Sequence, residues 1–194
     1  MKESKRERYI RFLLILSCLF VVVIGYVLSS PEETEDAPLM SAQVLKQQDK
    51  NQNAVVAVSK NSGNRPILVI YEVEKEREYH FSALHSVALK EQIQEMKINA
   101  DGDGLWVRIG QERWVLFSNE LEVQKNKGEP SFTHSTRQSF QYEETSKSVI
   151  IDDGHRMTLD LSGKVKPLEI HRLSANGSLW LIVYKDDVVL AKSR

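Results

Sequence analysis

Phe12 to Ser30 reads FLLILSCLFVVVIGYVLSS, without one charged side chain. A helix of about 20 apolar residues crosses the hydrocarbon core of a bilayer, so this run is long enough to span one. Its flanks carry opposite charges. Residues 1–11 hold Lys2, Lys5, Arg6, Arg8 and Arg11 against Glu3 and Glu7, a net of +3, whereas Glu32, Glu33, Glu35 and Asp36 follow the run. The positive-inside rule then predicts a single-pass signal-anchor in a cytoplasmic (inner) membrane, with the N-terminus in the cytoplasm and the C-terminal part outside, periplasmic or its equivalent.

Two other readings of the same residues stay open. A cleaved signal peptide has an apolar core of about 7–15 residues, shorter than this one, although Val27-Leu28-Ser29 offers a place to cut. Ile15-Leu16-Ser17-Cys18 loosely follows a lipobox, but the apolar run continues well past Cys18.

The expected organisation is a cytoplasmic tail (1–11), a transmembrane helix (12–30), a linker or spacer (31–53) and an extracytoplasmic β-rich domain (54–194). The formal charge of the chain is -1, so the part after the tail carries -1 minus 3, or -4. An acidic domain argues against a nucleic-acid partner. Cys18 is the only cysteine, which leaves the remainder without disulfides or thiolate metal ligands.

Short apolar runs separated by turn residues dominate after residue 53. Ala54–Val58 and Ile67–Val73 read as strands, the second leading through the charged tip Glu74–Glu78 into Tyr79-His80-Phe81 as a hairpin. Residues 39–53 fit a short helix or a spacer. Leu84, Val87, Ile93 and Met96 lie near helical spacing, and Ser82 or Ser86 can cap, so one helix is expected to about Lys97. Leu105–Phe117 is expected to be a hairpin turning at 110–112. Residues 125–147 fit a long loop or, in part, an edge strand near 139–142; strands are expected at 148–151, 157–161 and 164–170, and a last hairpin over 179–191. The expected fold class is therefore α+β: antiparallel hairpins with one helix.

Two stretches echo each other. Leu105-Trp106-Val107 matches Leu179-Trp180-Leu181 at an offset of 74, and Ala100-Asp101-Gly102 matches Ala175-Asn176-Gly177 one residue out of step. Similar amphipathic hairpins or an internal duplication would each produce this.

Motifs of catalysis and metal binding are sparse. Asn99-Ala100-Asp101-Gly102-Asp103-Gly104 resembles the first half of a calcium loop, but its twelfth position is Gly110 rather than a carboxylate. His80, His85, His134, His155 and His171 form no His-Glu-x-x-His pattern. No nucleophile elbow, Walker loop or dinucleotide loop occurs. The expectation is a non-enzymatic chain without catalytic, cofactor-binding or metal residues. Trp106, Trp114 and Trp180 stand out as either core or partner surface, since large aromatics serve both.

Leu161-Ser162-Gly163-Lys164-Val165-Lys166-Pro167-Leu168-Glu169-Ile170, followed by Leu179-Trp180-Leu181, resembles the C-terminal part of the minor pseudopilins of type II secretion systems. The resemblance implies a membrane-anchored subunit whose β-domain packs within a secretion pseudopilus. The prepilin Gly-Phe cleavage motif is absent: Arg11 precedes Phe12, and the apolar run holds no Glu.

Together these features point to an extracytoplasmic interaction or assembly protein of the cell envelope, held to the lipid bilayer by residues 12–30 and facing a membrane or envelope protein. The alternative is an exported ligand-binding or regulatory module. A C-terminal alkaline phosphatase fusion should be active, and the full chain should stay with membranes after a carbonate wash; an inactive fusion or a soluble full-length product would refute the anchor.

Overall fold

The computed structural model describes residues 39–61, 65–125, 128–152, 156–160 and 166–193. All of them belong to one compact unit, Thr34–Arg194. The expected membrane helix, the lipobox and the acidic linker to Pro38 lie outside the described residues, as do residue 161 of one expected strand, residues 164–165 of the next and the start of the pseudopilin-like stretch. Among the described residues, no helix is long and apolar enough to cross a membrane.

The described part is all-β. Four antiparallel sheets follow one another along the chain. The first joins β1 (Met40–Lys46), β2 (Ala54–Lys60), β3 (Ile67–Lys75) and β4 (Tyr79–Ala88). The second joins β5 (Ile93–Ile98), β6 (Gly104–Ile109) and β7 (Arg113–Ser118). The third joins β8 (Phe140–Glu143), β9 (Ser148–Asp152) and β10 (Arg156–Asp160), and the fourth β11 (Glu169–Arg172), β12 (Leu179–Val183) and β13 (Val188–Lys192). Each sheet is a simple meander, so every strand pairs with its neighbour in sequence.

The expected α+β class with one helix is therefore corrected: the segment read as helical forms β4 and β5. Two β-bulges explain the misreading. Ala83 pairs with Tyr71 and His85 with Ile70, which leaves Leu84 as an extra residue. Ile93 pairs with Ile109 and Glu95 with Arg108, which leaves Gln94 extra. A bulge adds one residue to a strand, so Ile93 and Met96, both buried, stand three apart where a regular strand would separate them by two or four. Strand alternation interrupted in this way imitates helical spacing. Residues 39–53 also differ from expectation, since Met40–Lys46 is strand β1. The hairpins over 105–117 and 179–191 form as expected.

The sheets pack face to face. One face of the first sheet, with Ala42, Val44, Val56 and Val73, meets Leu179, Leu181 and Val183 of β12. Its other face, with Ala57, Leu68 and Ile70, meets Ile93, Met96, Leu105 and Val107 of the second sheet. The opposite face of β12, with Trp180 and Ile182, meets Val149 and Ile151 of β9. Alternation along β12 thus fills two separate cores from one strand.

The loop before β8 closes the circle. Thr133 N–H donates to Ile98 O at 3.1 Å and Ala100 N–H to Ser131 O at 3.1 Å, along the free edge of β5. Five residues on, Gln138 N–H donates to Ile170 O at 2.8 Å and Arg172 N–H to Thr136 O at 3.4 Å, along the free edge of β11. With β1 lying against both β5 and β11, four inner segments surround a common centre. This is a closed ring of three strands and one loop, and the third sheet joins it by packing on β12 of the fourth.

The echo has a structural counterpart. Asn99 N–H donates to Gly104 O at 2.9 Å and Gly102 N–H to Asn99 O at 2.9 Å; Ser174 N–H donates to Leu179 O at 3.3 Å and Gly177 N–H to Ser174 O at 3.0 Å. Gly102 and Gly177 hold φ of 72° and 69°, a left-handed conformation that glycine adopts without steric penalty. The turns thus correspond at an offset of 75 and the tryptophans at 74, so a turn-based alignment sets Trp106 against Leu181. Each indole is tied back to its own turn, Trp106 Nε1–H donating to Asn99 Oδ1 at 3.1 Å and Trp180 Nε1–H to Gly177 O at 2.7 Å.

Trp106 and Trp180 are 2% and 0% exposed, so their bulk is core. Truncating either to Ala should cost about 3–5 kcal/mol, against a typical total of about 5–15 kcal/mol. Trp106→Ala and Trp180→Ala should each lower the melting temperature of the whole ring in one calorimetric transition. The two hairpins pack in different clusters rather than in one shared core, so two transitions, each sensitive to one substitution, would contradict a single cooperative unit.

Candidate functional site

The inner segments leave a cavity of about 640 Å³ at the centre of the ring. Its wall takes Ser41 and Gln43 from β1, Gln94 to Ile98 from β5, Phe132 to Ser135 and Arg137 from the closing loop, and Glu169 from β11. Every one of these segments is the inner edge of its sheet or the loop that closes it. Residues 128 positions apart in the chain therefore meet, as Ser41 and Glu169 do.

Glu169 is the hub. Ser41 Oγ donates to its Oε1 at 3.2 Å and Ala42 N–H to its Oε2 at 3.3 Å, so the carboxylate satisfies an unpaired backbone donor on the free edge of β1. His171 Nε2 lies 3.0 Å from the same Oε2. Alternation in β11 sets positions 169 and 171 on one face. Arg137 Nη1 stands 3.6 Å from Oε1, and Arg137 Nη2 donates to Leu168 O at 3.4 Å. His171 is fully buried, with Nδ1 3.4 Å from Thr136 Oγ1.

Burial acts on the Glu169 carboxyl most strongly and pushes its pKa up. The hydrogen bond and charge of His171, the charge of Arg137 and the Ala42 N–H together outweigh it and hold the pKa below its ordinary value. The triplet Ser41–Glu169–His171 has the residue types of a hydrolase triad in a different connectivity. The serine hydroxyl bonds to the carboxylate rather than to the imidazole, so the Ser-His-Asp relay is not formed. What this geometry does is neutralise and fix a charge.

The β5 wall carries a second ionic cluster, two cations on one carboxylate. Lys97 Nζ is 2.9 Å from Glu95 Oε1, and Arg108 Nε is 3.5 Å from Glu95 Oε2. Lys97 also lies 4.7 Å from the centre of the Phe132 ring and 5.7 Å from that of Trp114. Phe132 and Trp114 are tilted at 46° with centroids 5.1 Å apart. Gln94, the bulged residue of β5, is on the cavity wall; re-aiming a side chain beside a site is a recurrent use of bulges.

Of the residues singled out in the sequence, Trp106 and Trp180 are buried away from solvent. Trp114 is half-buried against Phe132 at the cavity rim. His134 lines the cavity, while His80 is exposed and paired with Glu74 at 3.5 Å, and His155 lies outside the described residues. Among the described residues, no group of three or more His, Cys, Asp or Glu gathers to hold a metal. In the calcium-like loop, Asn99 accepts from Trp106 and donates to Asp103, so its side chain braces the turn.

Sequence reasoning missed Ser41, Gln43, Gln94, Glu95, Lys97, Arg137, Glu169 and His171. The one local signal was Glu169-Ile170-His171, whose i, i+2 spacing puts a carboxylate and an imidazole on one strand face. No family model matches this chain, and no curated protein matches it in sequence.

A carboxylate held below its unfolded pKa contributes stability that is full above that value and lost as pH falls through the folded value. Glu169→Gln should therefore melt lower than the parent at about pH 7, and the gap should close as pH falls below the ordinary 4.5. Melting curves across acid pH check this; a gap that stays constant or widens in acid would contradict the role given to Glu169.

Proposed function

We propose that this chain is a non-enzymatic binding module of the cell envelope, tethered to the membrane by residues 12–30, and that the central cavity is where it binds. The observation that carries this reading is convergence: polar side chains from four inner segments, remote in sequence, meet on one cavity of about 640 Å³. That volume falls in the range of small-molecule sites, about 300–1,000 Å³. Tethering such a module raises its effective concentration for anything held at the same surface. The reading takes up the ligand-binding and regulatory alternative drawn from the sequence.

A second reading, assembly with an envelope protein, rests on a different feature. β4 is the outer edge of the first sheet, ten residues long, with no strand beyond it among the described residues. Leu84 on it and Ile67 on β3 are 45% and 39% exposed. An open edge of this kind is a template for strand addition.

The small-molecule fraction of an envelope extract, added to the full chain, should raise its melting temperature by several degrees, as a ligand specific to the native state does. Gln43→Trp, which fills the cavity, and Gln94→Ala, which trims its wall, should each abolish or reduce the rise. No rise with the parent chain refutes the cavity reading. If discrete protein adducts then form by photo-crosslinking from position 84, the assembly reading replaces it.

A further inference from the structure

We propose that one end of the first sheet is a contact surface for an anionic lipid bilayer; this rests on the membrane tether proposed above and is independent of the cavity. The strand register sets a row across that end: Met40 pairs with Lys60, Lys60 with Ile67, and Ile67 with Ala88. Beyond this row Asn61 N–H donates to Leu39 O and Leu89 N–H to Pro66 O, both at 2.8 Å. Arg65 and Lys90 are the chain neighbours of Pro66 and Leu89. Leu39, Lys60, Arg65, Ile67 and Lys90 therefore share one end of one sheet.

Two kinds of side chain lie open there. Leu39 and Ile67 are 42% and 39% exposed. Lys60, Arg65 and Lys90 are exposed cations. Among the described residues none of the three pairs with a carboxylate, and Glu91, next to Lys90, is engaged by Arg113 at 2.6 Å. Apolar side chains that enter the boundary between head groups and acyl chains, beside cations that attract anionic head groups, are what an interfacial surface requires. The opposite end of the sheet is built differently. The turn from β3 to β4 carries Glu74, Glu76 and Glu78 against Lys75 and Arg77, without a large apolar side chain exposed.

Chain connectivity selects the same end. β1 begins at Met40, so the chain enters the sheet through Leu39. Residues 31–38 separate Leu39 from the apolar run, and eight extended residues reach at most about 30 Å. The competing occupant is that linker, which holds Glu32, Glu33, Glu35 and Asp36. Its carboxylates answer the three cations and leave Leu39 and Ile67 unexplained, whereas a lipid surface covers both kinds of side chain.

The test places the full chain in vesicles of phosphatidylcholine alone, or of phosphatidylcholine and phosphatidylglycerol in equal parts, with a quencher on the lipid head group. A fluorophore is attached at position 88 through Ala88→Cys or, at the far end of the sheet, at position 76 through Glu76→Cys, each with Cys18→Ala. The label at 88 should be quenched in the phosphatidylglycerol vesicles and far less in the others, and the label at 76 in neither. Salt at about 1 M, where the screening length is about 3 Å, should reverse most of the quenching. Lys60→Gln, Arg65→Gln and Lys90→Gln should each lower the ratio of docked to free domain about fivefold. Leu39→Ser should lower it about three- to tenfold. All four variants should melt within a few degrees of the parent, since these side chains are exposed. Equal quenching of the two labels, or quenching at 88 that ignores phosphatidylglycerol, overturns the proposal. If the label at 88 is unquenched while the chain resists a carbonate wash, the lipid contact is wrong and the tether stands. If the wash strips the chain from the vesicles, the tether falls and the lipid contact with it. If quenching at 88 appears only after Glu32, Glu33, Glu35 and Asp36 are changed to Gln and Asn, the linker holds the cations and the proposal is overturned.

Discussion

Glu169 is the residue on which the ring depends. It is a charge only 14% exposed, and it stays ionised because four different groups address it. Its partners come from β1, from its own strand and from the closing loop. A buried carboxylate with fewer partners would lose more in desolvation than it gains in pairing. Here the same atoms also satisfy the Ala42 N–H, which has no strand partner. One side chain therefore ends the free edge of β1 and holds β11 and residue 137 beside it.

Edges are the general problem of this architecture. Four short meanders have eight outer strands, and each inner one presents unpaired backbone groups to the centre. The ring answers with local devices rather than a continuous sheet. The loop over 131–138 bonds to β5 on one side and to β11 on the other. Asn61 bridges β2 to β5, its Nδ2 donating to Ile93 O at 2.7 Å and its Oδ1 accepting from Ile93 N–H at 3.0 Å. Gln48 N–H donates to Leu173 O at 2.6 Å and so ties the end of the β1 segment to the end of β11. The cavity exists because these devices use side chains and one loop in place of strands, which leaves the centre unfilled.

The hairpins were legible in the sequence for a clear reason. Leu105–Phe117 and Leu179–Ala191 combine β-branched and aromatic residues with turn residues at the right distance, and hairpin pairing is local. The helix expected before Lys97 failed because a bulge cannot be read from periodicity. Gln94 and Leu84 shift the alternation by one residue, and only the partner strand reveals that. The cavity residues were not legible at all. Gln43, Gln94, Arg137 and Glu169 are ordinary polar residues in ordinary strands and loops, and what distinguishes them is which sheet edge they occupy.

By itself, then, the sequence determined where the hairpins turn and which residues are apolar enough to form cores, while it left Trp106 and Trp180 open between core and partner surface. Those properties depend on neighbours within a few positions. Tertiary structure alone decided that the domain is all-β, that β12 serves two cores at once, and that Ser41 meets Glu169 across 128 residues. These depend on how sheets stack and how the ring closes, and closure is set by the sum of many weak contacts between distant segments rather than by any local pattern.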